Sequence, residues 1–188
     1  MAVLGNSEQL AWQAMEAGKF DEAIRLLMPL AHRNSEFALL NLGWIYETGA
    51  TAARDEAAAL SFYARAASQG SADGCFALGR LLLDQGHAEK ARSAFRRGAE
   101  KGSLPAMSEL GCMLLEGCGG PSNAEEGWSW LERAAAQGHI FAQRKMLAIE
   151  AASARSIAEK LSVKLKILRL AMKGGREIWR DQYSVKVR

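Results

Sequence analysis

Small and large apolar residues recur along the chain at spacings of four, and the same pattern returns after 36, 32 and 36 positions. One column holds Ala31, Ala67, Ala99 and Ala135. Four residues earlier stand Leu27, Tyr63, Phe95 and Leu131, and four earlier again Ala23, Ala59, Ala91 and Gly127. A spacing of four keeps side chains on one face of a helix, so each set predicts a helix with a narrow apolar face, small except for one large residue. Three residues past the anchor alanine come Asn34, Gly70, Gly102 and Gly138, the residue types that accept a positive φ beyond a helix end. A second face follows: Ala38, Gly74, Ala106 and Ala142, then Leu42, Leu78, Leu110 and Met146, then Gly43, Gly79, Gly111 and Leu147. Each unit therefore reads as a helix–turn–helix pair. One pair cannot cover its own apolar face, so the pairs must stack.

A later turn column, Gly49, Gly86 and Gly117, separates the units. The connections alternate between short (18–23, 86–91) and longer (49–59, 117–127), which accounts for the unequal repeat length while the helices keep phase. Asp55 and either Ser122 or Asn123 are placed to cap the helices after the longer connections. The predicted organisation is a repeat solenoid over 1–154, with an N-terminal half-unit at 7–18 and repeats at about 21–49, 57–86, 89–117 and 125–150. Adding 36 to the last columns reaches Val163, Ile167, Ala171 and Gly174, so 155–188 reads as a degenerate fifth repeat, a capping helix and a tail. The segment 162–168 also alternates with period two, but its phase match to the repeat favours helix.

Composition agrees with helices. Of 188 residues, 49% are hydrophobic, 24% charged and only three are proline, as in an ordinary folded chain. The three cysteines, Cys75, Cys112 and Cys118, are an odd number, which favours a reduced compartment. No signal peptide or transmembrane run is visible, and the expected location is the cytoplasm. Charge is uneven. Residues 1–154 carry 14 Lys+Arg against 18 Asp+Glu, whereas 155–188 carry 10 against 3.

The string from Ala59 through Tyr63, Ala67 and Gly70 to Leu78-Gly79 resembles the Sel-one-like repeat (SLR), a relative of the tetratricopeptide repeat, and residues 130–143 are especially similar to its consensus. The resemblance implies an all-α fold, a right-handed α-solenoid of stacked SLR/TPR-like pairs. It also implies an adaptor or scaffold role, with ligands held on a concave side lined by the first helix of each pair. One secreted branch of that family carries a disulfide in every unit and is linked to β-lactam binding. Here Cys75 falls in the second-helix position, but the partner position holds Ala67, so this chain departs from that branch.

Candidate contacts come from two features. Arg65, Arg97, Arg133 and Arg169 share one column, two residues before the anchor position. They are either a ladder for acidic groups of a partner or part of the repeat's own architecture. Trp128 and Trp130 flank the face of the fourth unit and are either partner anchors or core. Trp44 reads as packing, and Trp12 as a cover for the open end. The basic tail residues Lys160, Lys164, Lys166, Arg169 and Lys173 would bind phosphates or an anionic membrane surface, or else form a solvated cap, while Ile157, Leu161, Leu165, Leu168 and Met172 would pack on the fourth unit. His32, His87 and His139 have no metal-ligand spacing, and the loop 117–121 lacks the Gly-Lys-Ser/Thr ending of a phosphate loop. The expected function is a non-enzymatic scaffold binding a protein or peptide, with no cofactor and no metal. An adaptor for nucleic acid or membrane through the tail is the alternative, and a β-lactam enzyme is disfavoured.

Overall fold

The helical phase written in those columns appears directly in space. A computed structural model of the chain describes residues 5–51, 54–153, 159, 162, 165, 166 and 168–170. The described residues hold no strand, and the helices with both ends described are α1 (Asn6–Glu16), α2 (Phe20–His32), α3 (Glu36–Thr48), α4 (Glu56–Ser68), α5 (Ala72–Asp84), α6 (Ala88–Glu100), α7 (Leu104–Glu116), α8 (Ala124–Ala136) and α9 (Ile140–Ser153). α1 is the predicted half-unit. The hairpins α2–α3, α4–α5, α6–α7 and α8–α9 are the four repeats. Every helix packs on its neighbours in chain order, and consecutive second helices (α3, α5, α7) also touch. The result is an α-solenoid. Of the proposed fifth repeat, Val163, Ile167, Ala171 and Gly174 lie outside the described residues, whereas residues 159, 162, 165, 166 and 168–170 are described and helical.

Helix ends follow from local chemistry. Asn34, Gly70, Gly102 and Gly138 have φ values of 63°, 86°, 96° and 91°, and each hairpin turns at that residue. Ser35, Ser71 and Ser103 each accept a hydrogen bond from the backbone N–H three residues on, capping α3, α5 and α7. Asp55 caps α4 and Asn123, rather than Ser122, caps α8.

The core runs through the stack as three linked clusters. The first-helix columns are buried, with Ala23, Leu27, Ala59, Ala91, Phe95, Ala99 and Leu131 at 0% exposure. The large residue of each first helix seats on the glycine of the preceding second helix. A Cβ at Gly43 would lie 2.4 Å from the Tyr63 ring, one at Gly79 2.7 Å from Phe95 and one at Gly111 2.8 Å from Leu131. These glycines set how closely successive units approach.

In an open helix interior, Gly→Ala adds about 1 kcal/mol of stability. Gly79→Ala should do the reverse, because its methyl would overlap the Phe95 ring; overpacking of this kind costs about 1–3 kcal/mol. A thermal melt should show Tm falling by roughly 2–10 °C. An unchanged or raised Tm would mean that this contact does not set the spacing.

Candidate partner-binding surface

The arginine column is occupied from within. Arg65 on α4 donates through Nη2 to the carbonyl of Ala31 at 2.7 Å and to Asn34 Oδ1 at 3.1 Å. Arg97 on α6 donates through Nη2 to the carbonyl of Ala67 at 2.8 Å. Both acceptors are the anchor alanine one unit back, in the last turn of a first helix. Carbonyls there lack an intrahelical partner, and the helix dipole favours a cation. The guanidinium thus ties the second and the third repeat each to the one before. Arg133 on α8 is placed differently: its guanidinium carbon lies 4.2 Å from the centre of the Trp130 ring, a cation–π distance. Arg97 and Arg133 are exposed, while Arg65 is half-buried.

The two tryptophans part company. Trp130 is only 9% exposed and its indole N–H donates to Glu126 Oε1 at 3.4 Å. Glu126 also pairs with Arg96, and that hydrogen bond holds its carboxyl below the usual range. Trp130 belongs to a column with Leu26, Phe62 and Ala94, apolar in every unit, and this is the signal that identifies it as core. Trp128 is half-buried, with its N–H on Glu132 Oε1 at 2.7 Å. Trp44 is 43% exposed rather than packed, because its ring only leans on Phe20 with centroids 6.0 Å apart. Trp12, also 43% exposed, leans in the same way on Phe37 at 6.5 Å.

In the tail, Lys166 pairs with Glu150, and Arg169 is exposed. Leu165 and Leu168, expected to pack on the fourth unit, are 51% and 57% exposed. Lys160, Lys164 and Lys173 lie outside the described residues.

Three further positions break the repeat in a coordinated way. Glu47, 8% exposed, stands where the other units have Leu83 and Leu115. Its carboxylate accepts from the Tyr63 hydroxyl at 2.8 Å and pairs with Arg80. Burial, reinforced by Glu47, pushes the Tyr63 hydroxyl well above the ordinary tyrosine range. The three cysteines are free thiols, and buried Cys75 lies with Sγ 4.0 Å from the Ala67 carbonyl oxygen.

His139 has a role that sequence spacing alone did not suggest. It occupies the column of Ser35, Ser71 and Ser103, and its Nδ1 accepts from the Ala142 N–H at 3.4 Å, capping α9. Accepting through Nδ1 requires a neutral ring, and burial lowers the His139 pKa in the same sense.

Stacked hairpins of this kind define a helical-repeat solenoid. The Sel1 repeat family model matches residues 37–71 and 104–139. A Sel1 repeat protein from Oxalobacter formigenes superposes with a TM-score of 0.67 at 26% identity over 75% of this chain and 60% of that one. The MamA crystal structure is similar in fold, with a TM-score of 0.62 at 20% identity over 93% of this chain and 99% of that one. An F-box protein of Arabidopsis thaliana is 31% identical over 88 residues, 47% of this chain, and the chain spans 24% of its length. No helix among the described residues is long and apolar enough to cross a membrane.

Two outcomes follow. Arg65→Ala removes the tie to Ala31 and Asn34 and should cost about 1–3 kcal/mol, the range for a hydrogen bond from a charged donor, lowering Tm by several degrees, whereas Arg133→Ala should change it little. For His139, a folded pKa below the free value of about 6.5 means that the unfolded chain binds more protons in that window. The stability it supplies is complete above pH 6.5 and is lost as pH falls toward the folded pKa. Melts at pH 7.5 and 5.5 should therefore show a larger acid-side loss in the native protein than in His139→Ser. Equal losses would rule out the imidazole cap.

Proposed function

We propose that the chain is a non-enzymatic scaffold that holds a protein or peptide segment on the concave, first-helix side of the array. The observation that carries this reading is the regular inter-unit tie: side chains of α4 and α6 bond the backbone of the preceding unit, making a stiff wall of repeated hairpins. A stiff, pre-formed surface binds with little ordering cost. The Sel1 repeat match supports this class of role, since such repeats generally serve protein interaction. Because Arg65 and Trp130 are withdrawn from the surface, the contact set narrows to the exposed Arg133 and to Arg97, which is exposed but also ties to Ala67, with Trp128 at the edge. An acidic or carboxylate-bearing segment suits them. Lys166 is already paired with Glu150, which weighs against the basic tail as the principal phosphate contact.

Cross-linking followed by mass spectrometry would identify partners, and titration would then compare the native protein with Arg133→Glu. That variant leaves the ties at Ala31 and Ala67 intact. Affinity should fall about tenfold or more for a central contact, with Tm unchanged. Native affinity in Arg133→Glu, and also in the double variant with Arg97→Glu, would place the partner on another face.

A further inference from the structure

The last interface of the array departs from the others at three columns together. Leu147 stands where Gly43, Gly79 and Gly111 admit the large residue of the next first helix. A leucine side chain forbids that approach. Gln143 stands in the column of Leu39, Cys75 and Met107, and its Nε2 donates to the carbonyl of Ala135 at 2.8 Å. That carbonyl is the equivalent of the Ala31 and Ala67 acceptors used by Arg65 and Arg97. Arg169, the next arginine of the column, has no hydrogen bond or ion pair among the described residues. Glu150 stands in the column of fully buried Leu114 and pairs with Lys166. At the earlier interfaces the next first helix fills this space. Here a cavity of about 680 Å³ remains, lined by Trp128, Met146, Leu147, Ile149 and Leu170 together with Arg169 and the paired Lys166 and Glu150.

We propose that this cavity is a binding site for an amphiphilic monoanion: an acyl chain or ring system ending in one carboxylate. Its volume lies in the range of small-molecule sites, about 300–1,000 Å³. The apolar part of the ligand lies against Trp128, Met146, Leu147 and Ile149. The carboxylate meets Arg169, whose planar fork matches its two oxygens. The other polar groups of the wall are already engaged. The Trp128 N–H is on Glu132, the Gln143 amide is on Ala135, and Lys166 is on Glu150. Among the described residues of the wall, Arg169 is the cation without a partner, and it suits a negative charge on an apolar body. A cationic amphiphile would meet Arg169 with like charge. This site shares Trp128 with the proposed scaffold surface, but its argument does not rest on that surface.

Isothermal titration of the full chain with decanoate, below its micellar concentration, tests the proposal. Decanoate should bind saturably with one site per chain. Arg169→Gln should weaken it by about tenfold or more, the loss expected for a charge-assisted hydrogen bond. Decylammonium should not saturate, and Met146→Trp, which fills the cavity, should abolish binding while far-UV circular dichroism stays native. Absence of saturable binding, a stoichiometry well above one, or equal affinity in Arg169→Gln would overturn the proposal. So would binding that survives in folded Met146→Trp. If that variant does not fold, Arg169→Gln and decylammonium decide alone, since neither alters a buried side chain.

Discussion

The approach of a large side chain to a bare backbone, one unit on, governs the spacing of this molecule. Tyr63 on Gly43, Phe95 on Gly79 and Leu131 on Gly111 are the same contact made three times. Each first helix has one bulky residue on an otherwise alanine-rich face, so little side-chain volume separates the helices except at that point. The glycine removes the one obstruction left, and the helix axes draw together until the alanines meet. Apolar burial then extends unbroken from one hairpin to the next, at roughly 25 cal/mol for each Å² removed from water. With the spacing set in this way, the anchor carbonyl of one unit falls within reach of the arginine of the next. The arginine ties are therefore a consequence of the glycine contact and a reinforcement of it.

This dependence explains what could be read in the residues and what could not. The apolar columns and the turn glycines are local signals with a fixed helical period, and the helices α2 to α9 follow one another in step with them. The resemblance to the Sel1 repeat rested on the same columns. An architectural role for Arg65 and Arg97 was one of the two readings their column allowed, but their acceptors, backbone carbonyls 34 and 30 residues away, leave no mark in residue type. Trp130 was legible in principle: its column also holds Leu26, Phe62 and Ala94. Trp44 misled because it follows the buried Leu42-Gly43 pair, yet one further step around the helix carries the indole to the outside. His139 was obscured by chemistry, since an imidazole accepting through Nδ1 does the work of the serine in the other three units.

Breaks in a repeat carry more information than its agreements, and two kinds of break are visible here. At Glu47, Tyr63 and Arg80, three departures satisfy one another: the carboxylate that replaces leucine takes the hydroxyl of the tyrosine and the charge of the arginine. Removing only one partner would leave a buried polar group without compensation, so the trio is coupled. It adds a polar lock between the first and second full units without opening the stack.

The departures at Gln143, Leu147 and Glu150 differ in kind, because they do not close on themselves. Leucine in the glycine column keeps the following segment away. Glutamine at the anchor carbonyl takes the place of the arginine tie. Glutamate in an otherwise apolar column draws Lys166 to the edge of the gap. Each change alone would weaken the docking of a fifth hairpin. Together they convert an interface that elsewhere is filled by protein into one lined on both sides by side chains but left open between them. A stack that merely ended would expose a flat apolar face, which polar substitution on the outer surface suffices to solubilise. Here the indole of Trp128 and the side chains of Met146, Leu147 and Ile149 stay apolar, and of the charged lining residues Lys166 and Glu150 pair with each other. That distribution is the one expected of a concave site with a single polar anchor, and it differs from that of a solvated cap.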